Sequence, residues 1–484
     1  MFRSKSLKIN FIMNSLLNMS SFLFPLITFP YVSRILLPEG IGRITFATSL
    51  IAYFTMLSQL GIPSYGIREC AKVRDKKEEL TKLSHELLFI NLIMCLFSYL
   101  IFIGVILFIP RLRTDRILYL ILSISIFLSA IGMEWLYKAL ELYTYITIRS
   151  IIFKFIALIA MFLLVHEQSD YILYGAISIL ASSASNIFNF INVRKYIYLH
   201  PIYKYEIKKH LKPVFIFFAM SCAVTVYTNL DTIMLGFMAS ASDIGYYNAA
   251  VKIKTVLVSI VTSLGAVLLP RSSYYIEQGM RKQFWNISKR AINFVFIIAF
   301  PMMVYFFIFA KEGIYFIAGK DYQEAILPMQ VIMPTVLFIG ISNILGIQIL
   351  VPLGKEKIVL YSEVAGAIID LIINSLLIPL YTSVGAAIGT LIAEQVVVII
   401  QYMSLRNEVG IIFKSVSYMK VIIAVLVASF AILWIKKVKI DNAGVLLISA
   451  FIFFIVYFII LILEREALTT EIYNQVVKNN KIKK

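Results

Sequence analysis

The sequence predicts an all-α integral membrane protein whose helices cross the bilayer repeatedly. Of the 484 residues, 60% are hydrophobic and 15% are charged, whereas soluble domains are about 45–50% apolar. The apolar residues are grouped in runs long enough to cross the bilayer core, which takes about 20 helical residues. Only short connections separate these runs, so the sequence excludes a soluble globular domain.

We predict fourteen transmembrane spans, numbered in chain order. The basic N-terminal segment followed by an apolar run resembles a signal peptide, but the run is too long and has no small-residue cleavage site. We therefore interpret it as the first span. The spans lie near residues 9–29, 41–61, 83–109, 117–137, 146–165, 171–193, 213–237, 246–269, 290–310, 325–350, 358–379, 384–404, 418–435 and 443–463.

The distribution of lysine and arginine predicts that both termini lie in the cytoplasm. With the N-terminus inside, 32 of the 45 basic residues, including Arg149 of the segment 138–149, fall in inside segments or at inside ends of spans. A further 10 fall in outside loops or at outside ends, and 3 lie deep within spans (Lys154, Lys252 and Lys254). Basic residues concentrate on the cytoplasmic side of membrane proteins. The pattern indicates a multi-pass protein of the plasma (inner) membrane. It also explains most of the net charge of +18 without a nucleic-acid partner.

Two pairs of similar segments predict that spans 1–6 are repeated as spans 7–12. Residues 39–51 resemble residues 242–253 at an offset of 203, and residues 174–180 resemble residues 384–391 at an offset of 210. Each half has an even number of spans, which predicts two parallel lobes around a central cavity. The predicted domains are a six-helix lobe, a second six-helix lobe, and two peripheral helices with a basic cytoplasmic tail, at residues 1–212, 213–410 and 411–484.

Polar residues recur at helical spacing on the first two spans of both repeats and on span 6. In a membrane bundle such stripes face another helix or a water-filled cavity. Any one of these side chains could form only a contact between helices, but their recurrence in both halves predicts a water-filled path between the lobes. The stripes of spans 1, 2, 6, 7 and 8 contain Asn10, Asn14, Asn18, Ser21 and Thr28; Thr45, Thr48, Thr55 and Gln59; Ser178, Ser182, Ser185, Asn189 and Asn192; Ser221, Thr225, Thr228 and Thr232; and Asn248, Lys252, Thr255, Ser259 and Thr262.

Charged residues within the spans are candidates for function, because each would cost roughly 2.5–3.5 kcal/mol if left unpaired in the bilayer. Lys252 continues the polar stripe of span 8, whereas Lys254 lies about 200° away and is expected to snorkel. Asp231 on span 7 lies at a similar predicted depth to Lys252. The two could form an ion pair that acts in transport or only locks the hairpin. Lys154 of span 5 could project into the cavity.

Acidic residues on spans 11 and 12 could pair with basic residues, bind a coupling cation or relay protons. They are Glu363 and Asp370 on span 11 and Glu394 on span 12. By contrast, Glu134 and Lys138 form an i,i+4 pair that we expect to be structural. The three cysteines and four histidines show neither a disulfide framework nor the spacing of a metal site.

Two segments resemble the Wzx-type flippases of the multidrug/oligosaccharidyl-lipid/polysaccharide exporter superfamily. They are FPYVSRILLPEGIGRITFATSLIAYFTMLSQLGIPSYGIRE at residues 29–69 and NLDTIMLGFMASASDIGYYNAAVKI at residues 229–253. The second segment is fairly specific, with the core DTIMLG at residues 231–236 followed by GYYN at residues 245–248. The resemblance covers almost the whole chain and implies a MATE-like fold.

The resemblance implies a carrier, not an enzyme, that moves an undecaprenyl-diphosphate-linked oligosaccharide to the outer leaflet by alternating access. Such a step would supply a surface polysaccharide, either O-antigen or capsule. Flippases of this kind hold the diphosphate with cationic residues, which implies that Arg34 binds substrate and that Asp231 acts in gating or coupling. The implied partners are the lipid-linked oligosaccharide, membrane lipids, and a polysaccharide polymerase and chain-length regulator. Together with the stripes, the predicted substrate-binding residues are Arg34, Lys154, Lys252, Asn14, Asn18 and Asn248, and the gating or coupling residues are Asp231, Glu363, Asp370 and Glu394.

A diphosphate cannot cross about 30 Å of hydrocarbon unaided, so it requires an enclosed basic and polar route. An alternative is a multidrug or small-molecule exporter of the same fold coupled to H⁺ or Na⁺, which would favour an acidic, apolar cavity. A membrane-embedded glycan polymerase or ligase typically needs a long outer loop, and the outer loops of this chain are short. No cofactor is predicted beyond the coupling ion.

Overall fold

The computed structural model describes residues 7–201, 204–414, 416–438 and 440–471. Every regular element in these ranges is a helix. Of the described helices, ten are long and apolar enough to cross a membrane, or eleven if one pair bent by 43° counts as a single span. The chain is therefore a multi-pass, all-α membrane protein.

The chain forms two compact units, Met1–Gly245 and Tyr246–Lys484, which we call the first and the second unit. The helices of the first unit are α1 (Leu7–Gln59), α2 (Ile62–Lys72), α3 (Lys77–Phe108), α4 (Arg116–Ile131), α5 (Glu134–Ala139), α6 (Tyr143–Leu164), α7 (Tyr171–Ser182), α8 (Asn186–Asn192), α9 (Lys208–Met238) and the first turn of α10 (Ala241–Glu277). The second unit contains the remainder of α10 and then α11 (Arg281–Ile308), α12 (Ala310–Ile317), α13 (Ile326–Ile332), α14 (Thr335–Asn343), a π-helix (Ile344–Leu350), α15 (Glu356–Lys414), α16 (Tyr418–Ile432) and α17 (Asn442–Leu463).

Two pairs of predicted spans are joined without a separating loop. Spans 1 and 2 both lie in α1, which is interrupted at Leu37 (φ 59°, ψ 175°). Pro38 favours this position, because the residue before a proline is disfavoured in the helical region. Spans 11 and 12 both lie in α15, which is interrupted at Thr382 (φ 47°, ψ −120°). A single residue outside the helical region thus replaces each predicted connection.

The first unit has two ends that differ in chemistry. At the end containing Leu37, the guanidinium of Arg43 forms ion pairs with Glu39 and Asp115, both at 2.7 Å. We call this the Leu37 end. The opposite end, which we call the Leu60 end, has an apolar core that joins α2, α3, α5 and α9. Its buried members include Leu60, Ile62, Tyr65, Leu80, Leu87, Trp135, Leu136 and Val214.

Helix α10 starts with a capping box, a motif that satisfies backbone donors left unpaired at a helix N-terminus. The backbone N–H and the hydroxyl of Ser240 both donate to Oδ2 of Asp243, at 3.0 and 2.6 Å. In return, the backbone N–H of Asp243 donates to the Ser240 hydroxyl at 3.2 Å. Asp243 belongs to the second copy of the repeated segment and Ser240 lies two residues before it, so the start of that copy fixes where α10 begins.

In the second unit, α16 and α17 pack against α11 through a buried apolar cluster. Two tyrosines in this cluster place their hydroxyls on backbone carbonyls, which a buried Tyr normally requires. Tyr305 donates to Leu446 and Tyr457 donates to Ile297, each at 2.8 Å. The last two predicted spans therefore form part of the second unit's packed core.

Candidate functional site

A cavity of about 640 Å³ lies within the first unit, between α1, α4, α7 and α9. Its apolar lining comes from residues such as Ile51, Met56 and Phe217. The polar residues that line it are all uncharged, and they are Thr48, Thr55, Gln59, Ser64, Ser125, Ser129, Ser182, Ser183, Ser221 and Thr225. The cavity therefore offers hydroxyl and amide groups on an apolar wall.

Helical periodicity explains how these side chains converge. Thr48, Thr55 and Gln59 follow steps of seven and four residues along the second half of α1, and Ser221 and Thr225 are four residues apart on α9. Residues at these spacings share one face of a helix. With Ser182 of α7 they bring members of three predicted polar stripes to the same cavity.

Helix α4 also contributes polar side chains to the cavity, which was not predicted from the sequence. Ser125 and Ser129 of this helix line the cavity. Their spacing of four residues within the apolar run ILSISIFLSAI is the signal that could have identified them. The hydroxyl of Ser125 donates to the carbonyl of Leu122 at 2.7 Å, which satisfies its donor and leaves its oxygen able to accept a hydrogen bond.

The predicted cation Lys154 is not among the residues that line this cavity. Its Nζ atom donates to the hydroxyls of Ser20 and Ser21 in the first half of α1, at 2.8 and 3.0 Å. Asn14 and Asn18 lie on the same half of α1, half-buried and exposed respectively. Lys154 therefore lies between α6 and α1, and its hydrogen-bond partners are neutral.

Arg34 is exposed near the interruption of α1 and donates to the carbonyl of Pro30. The neighbouring Arg43 is held in a network, because Tyr171 also donates to the Asp115 carboxylate, at 2.9 Å. The structure thus gives the two arginines of the Leu37 end different surroundings. Arg43 is held by two carboxylates, whereas the side chain of Arg34 is exposed.

Asp231 is half-buried on α9, and Asn248 and Lys252 are half-buried on α10. Lys254 is half-buried as well, so side-chain exposure does not separate it from Lys252. Asp231 belongs to the first unit and Lys252 to the second. Their pairing stays a prediction.

The predicted acids of α15 fall into two groups. Asp370 and Glu394 are buried, with exposed fractions of 4% and 6%, whereas Glu363 is exposed. Asn374 donates to the Asp370 carboxylate at 3.1 Å. A Cβ at Gly389 would overlap Oδ1 of Asn374 and lie 2.8 Å from Oδ1 of Asp370. The second half of α15 therefore approaches these two polar groups closely.

A buried hydrogen-bonded chain at the Leu60 end was not predicted. The hydroxyl of Tyr65 lies 2.7 Å from Nδ1 of His210, and Nε2 of His210 lies 2.7 Å from Oε2 of Glu86. Oε1 of Glu86 accepts the backbone N–H of Glu206 at 2.6 Å. These residues come from α2, α3, the loop before α9, and α9, so no local spacing in the sequence could have revealed the chain.

Comparisons with known proteins identify the family. A protein-family model described as "Polysaccharide biosynthesis protein" matches residues 7–276, and a second model, MatE, matches residues 217–376. The chain is 24% identical over 408 residues to a putative O-antigen transporter of Escherichia coli (strain K12), covering 83% of this chain and 97% of that protein. It is 26% identical over 404 residues to a putative O-antigen transporter of Shigella dysenteriae, covering 81% and 98%.

Solved structures show the same fold. The structure "Lipid II flippase MurJ, inward closed conformation" matches with a TM-score of 0.67 and 19% identity, covering 92% of this chain and 99% of that chain. An inward-facing multidrug resistance MATE transporter matches with a TM-score of 0.59 and 12% identity, covering 84% and 99%. At these identities the likeness shows the fold alone.

The matched relatives and structures are named as transporters and flippases, which confirms the expectation of a carrier rather than an enzyme. The predicted resemblance to Wzx-type polysaccharide flippases is confirmed as well. Because the polysaccharide biosynthesis model covers more than half of the chain, the chain belongs to that family.

Proposed function

We propose that the protein is a flippase that moves undecaprenyl-diphosphate-linked oligosaccharide repeat units across the plasma membrane by alternating access, for O-antigen or capsule synthesis. The observation that carries this proposal is the cavity of the first unit, which is lined by uncharged hydroxyl and amide groups. Hydroxyls and amides both donate and accept hydrogen bonds, as sugar hydroxyls do. The names of the relatives, O-antigen transporters, support a lipid-linked oligosaccharide as substrate.

The apolar part of the cavity wall fits the same substrate. Pyranose rings present C–H faces as well as hydroxyls, and apolar or aromatic side chains such as Met56, Phe217 and Met220 can pack on those faces. Because the lining carries no charge, a neutral sugar would displace water without leaving a buried ion unpaired. The cavity is therefore better suited to the glycan than to its diphosphate.

The cationic residues would then bind the diphosphate. Lys154 is the best supported, because its two hydrogen-bond partners are neutral hydroxyls and its charge remains available to an anion. We also propose Arg34 and Lys252 for this role, with Asn14, Asn18 and Asn248 as polar neighbours along the path.

We propose that Asp231, Glu363, Asp370 and Glu394 act in gating or in coupling to H⁺ or Na⁺. Burial of Asp370 and Glu394 supports the role of these two, since acids within membrane spans are costly and are usually functional. The exposed Glu363 has weaker support. The hydrogen bond from Asn374 keeps one Asp370 oxygen oriented within α15.

The proposal includes a topology of fourteen spans with both termini in the cytoplasm of a bacterial cell. The interruptions of α1 and α15 support it, since each helix then supplies two spans. The lobes would be residues 1–212 and 213–410, followed by residues 411–484. A polysaccharide polymerase and a chain-length regulator are proposed as partners, because the flipped repeat unit must be consumed in the outer leaflet.

A second candidate function is cation-coupled export of drugs or other small molecules. The match of residues 217–376 to the MatE model and the buried acids of α15 favour it. The uncharged, hydroxyl-rich cavity of the first unit favours the glycan instead.

Reconstitution into liposomes distinguishes the two functions. Fluorescent lipid-linked oligosaccharides are placed in one leaflet, and their arrival in the other is followed by loss of fluorescence to a membrane-impermeant quencher. We expect transfer of the oligosaccharide lipid and no gradient-driven accumulation of cationic drugs. Drug transport without transfer of any lipid-linked oligosaccharide would support the exporter and contradict the flippase.

A further inference from the structure

Arg149 is a buried cation that is not among the residues proposed above to bind the substrate. It lies in the second turn of α6 and is only 7% exposed. The sequence places Arg149 in a predicted inside segment, and the structure shows that its side chain is buried in the helical packing of the first unit. Arginine is almost never fully buried unless it is paired, so this position requires an explanation.

The guanidinium of Arg149 lacks the partners that normally accompany burial. Among the described residues, its Nε and Nη1 atoms have no hydrogen-bond acceptor. Nη2 lies 3.8 Å from Oε2 of Glu134, which is beyond hydrogen-bond length. A guanidinium carries five N–H donors, so most of its donor capacity is unused.

Glu134 does not neutralise the surrounding positive charge. Its other oxygen, Oε1, pairs with Nζ of Lys138 at 2.8 Å. One carboxylate is therefore shared by two cations, Lys138 and Arg149. The excess of one positive charge favours an anion, whereas water would satisfy the donors without balancing the charge.

A second buried group that contacts the same tyrosine pair as Arg149 also lacks side-chain partners. The Arg149 guanidinium lies 5.9 Å from the centre of the Tyr145 ring, which stacks on Tyr137 at 5.3 Å. The Tyr137 hydroxyl donates to the backbone carbonyl of Asn189 at 2.5 Å. Asn189 is fully buried, and among the described residues neither Nδ2 nor Oδ1 of its side chain has a hydrogen-bond partner. Two independent orphaned groups thus lie around the same tyrosine pair.

We propose that Arg149 binds a phosphate-type oxyanion, with Asn189 as a neutral neighbour, and that this anion is the diphosphate headgroup of the transported lipid. The inference rests on the proposed function for the identity of the lipid. A guanidinium donates two parallel hydrogen bonds to phosphate oxygens, which a single ammonium group cannot do. Arg149 would therefore fix the orientation of the headgroup, and Lys154 would add charge.

The test measures binding of farnesyl diphosphate to the purified full chain in detergent, with no leaflet transfer and no sugar involved. Arg149→Gln is expected to weaken binding at least tenfold. The affinity of Arg149→Lys is expected to lie between those of the wild type and Arg149→Gln, because lysine keeps the charge and loses the paired donors. Arg194→Gln is the matched control, since Arg194 is exposed just after α8, and it is expected to change binding less than twofold.

Competition experiments distinguish a site for the diphosphate of the transported lipid from a site for bulk lipid headgroups. Inorganic pyrophosphate is expected to compete with farnesyl diphosphate in the wild type and much less in Arg149→Gln. Competition by phosphatidylglycerol at equal concentration would instead assign the site to bulk lipid headgroups and overturn the proposal. Should Arg149→Gln fail to fold, Asn189→Ala tests the same site without removing a charge, and a loss of binding of about threefold or more is expected.

Equal binding by the wild type, Arg149→Lys and Asn189→Ala would overturn the inference, whatever the transfer assay shows. Conversely, Arg149-dependent binding by a protein that transfers no lipid-linked oligosaccharide would sustain the anion site and contradict the proposed function. The two proposals therefore fail separately.

Discussion

Gly42 of α1 and Gly245 in the first turn of α10 lie against each other at the Leu37 end of the first unit. A Cβ at Gly42 would lie 3.1 Å from the backbone nitrogen of Gly245 and would overlap the carbonyl oxygen of Ala241. A Cβ at Gly245 would overlap the carbonyl oxygen of Pro38. The two glycines occupy the same position in the two copies of the repeated segment, EGIGR and SDIGY. Each copy of the repeated segment therefore has a glycine at the point where the backbone of the other copy leaves no room for a Cβ.

Alanine at either glycine is expected to separate the two backbones. Because the neighbours are backbone atoms and cannot rotate away, Gly42→Ala or Gly245→Ala should destabilise this packing by about 1–3 kcal/mol, as overpacking usually does. Thermal unfolding in detergent should show a midpoint lowered by several degrees. Gly104→Ala is the matched control, because nothing lies within 4 Å of a Cβ there. An unchanged midpoint for both glycine variants would contradict the close contact between Gly42 and Gly245.

The helices and their polar faces were predictable from the sequence, since lipid requires long apolar runs and polar side chains at helical spacing carry a clear signal. Thr48, Thr55 and Ser221 reach the cavity for this reason. The interruptions at Leu37 and Thr382 were harder to predict, because one residue of unusual φ replaces a connection. Pro38 gives a hint for the first, and no proline follows the second.

Sites assembled from distant elements were not predictable. Tyr65, Glu86 and His210 meet only through the packing of α2, α3 and α9. The burial of Arg149 could not be predicted because a basic residue near a predicted span boundary looks like a loop residue until its neighbours are known. In each case the missing information is which helices touch, and periodicity within one helix does not contain it.

Cysteine labelling tests whether the cavity of the first unit is wet. In a chain whose three native cysteines have been replaced, Thr55→Cys is expected to react with a membrane-impermeant thiol reagent. Ser58→Cys is the control on the same helix, because Ser58 is fully buried and does not line the cavity. We expect at least tenfold faster labelling at position 55. Equal rates at the two positions would show that the cavity is closed to water or that α1 is rotated.

Filling the same cavity should reduce transport. Ser129→Leu adds an apolar side chain to the lining contributed by α4, which removes a hydroxyl and part of the volume available to a sugar. Transfer of lipid-linked oligosaccharide is expected to fall severalfold, while Ser129→Ala should retain most of it. If Ser129→Leu leaves transfer unchanged in a folded protein, the glycan does not occupy this cavity.

The two lysines of α10 test the polar stripe of predicted span 8. Lys252 continues that stripe and Lys254 points about 200° away on an ideal helix, although both are half-buried. Introduced cysteines are expected to react with an impermeant thiol reagent at position 252 and not at position 254. The reverse pattern would exclude Lys252 from an aqueous path and remove it from the proposed diphosphate-binding residues.

The chain from Tyr65 through His210 to Glu86 predicts a stability effect that is separate from substrate binding. His210→Ala deletes both hydrogen bonds and leaves the buried Glu86 carboxylate with one fewer partner. Leaving a buried polar group unsatisfied costs about 1–3 kcal/mol, so the thermal midpoint should fall by several degrees. Tyr65→Phe removes one hydrogen bond and should cost less. His200→Ala provides the control because His200 is exposed in the loop before α9. A normal midpoint for His210→Ala would mean that the apolar core around Leu60 holds α2, α3 and α9 together without this chain.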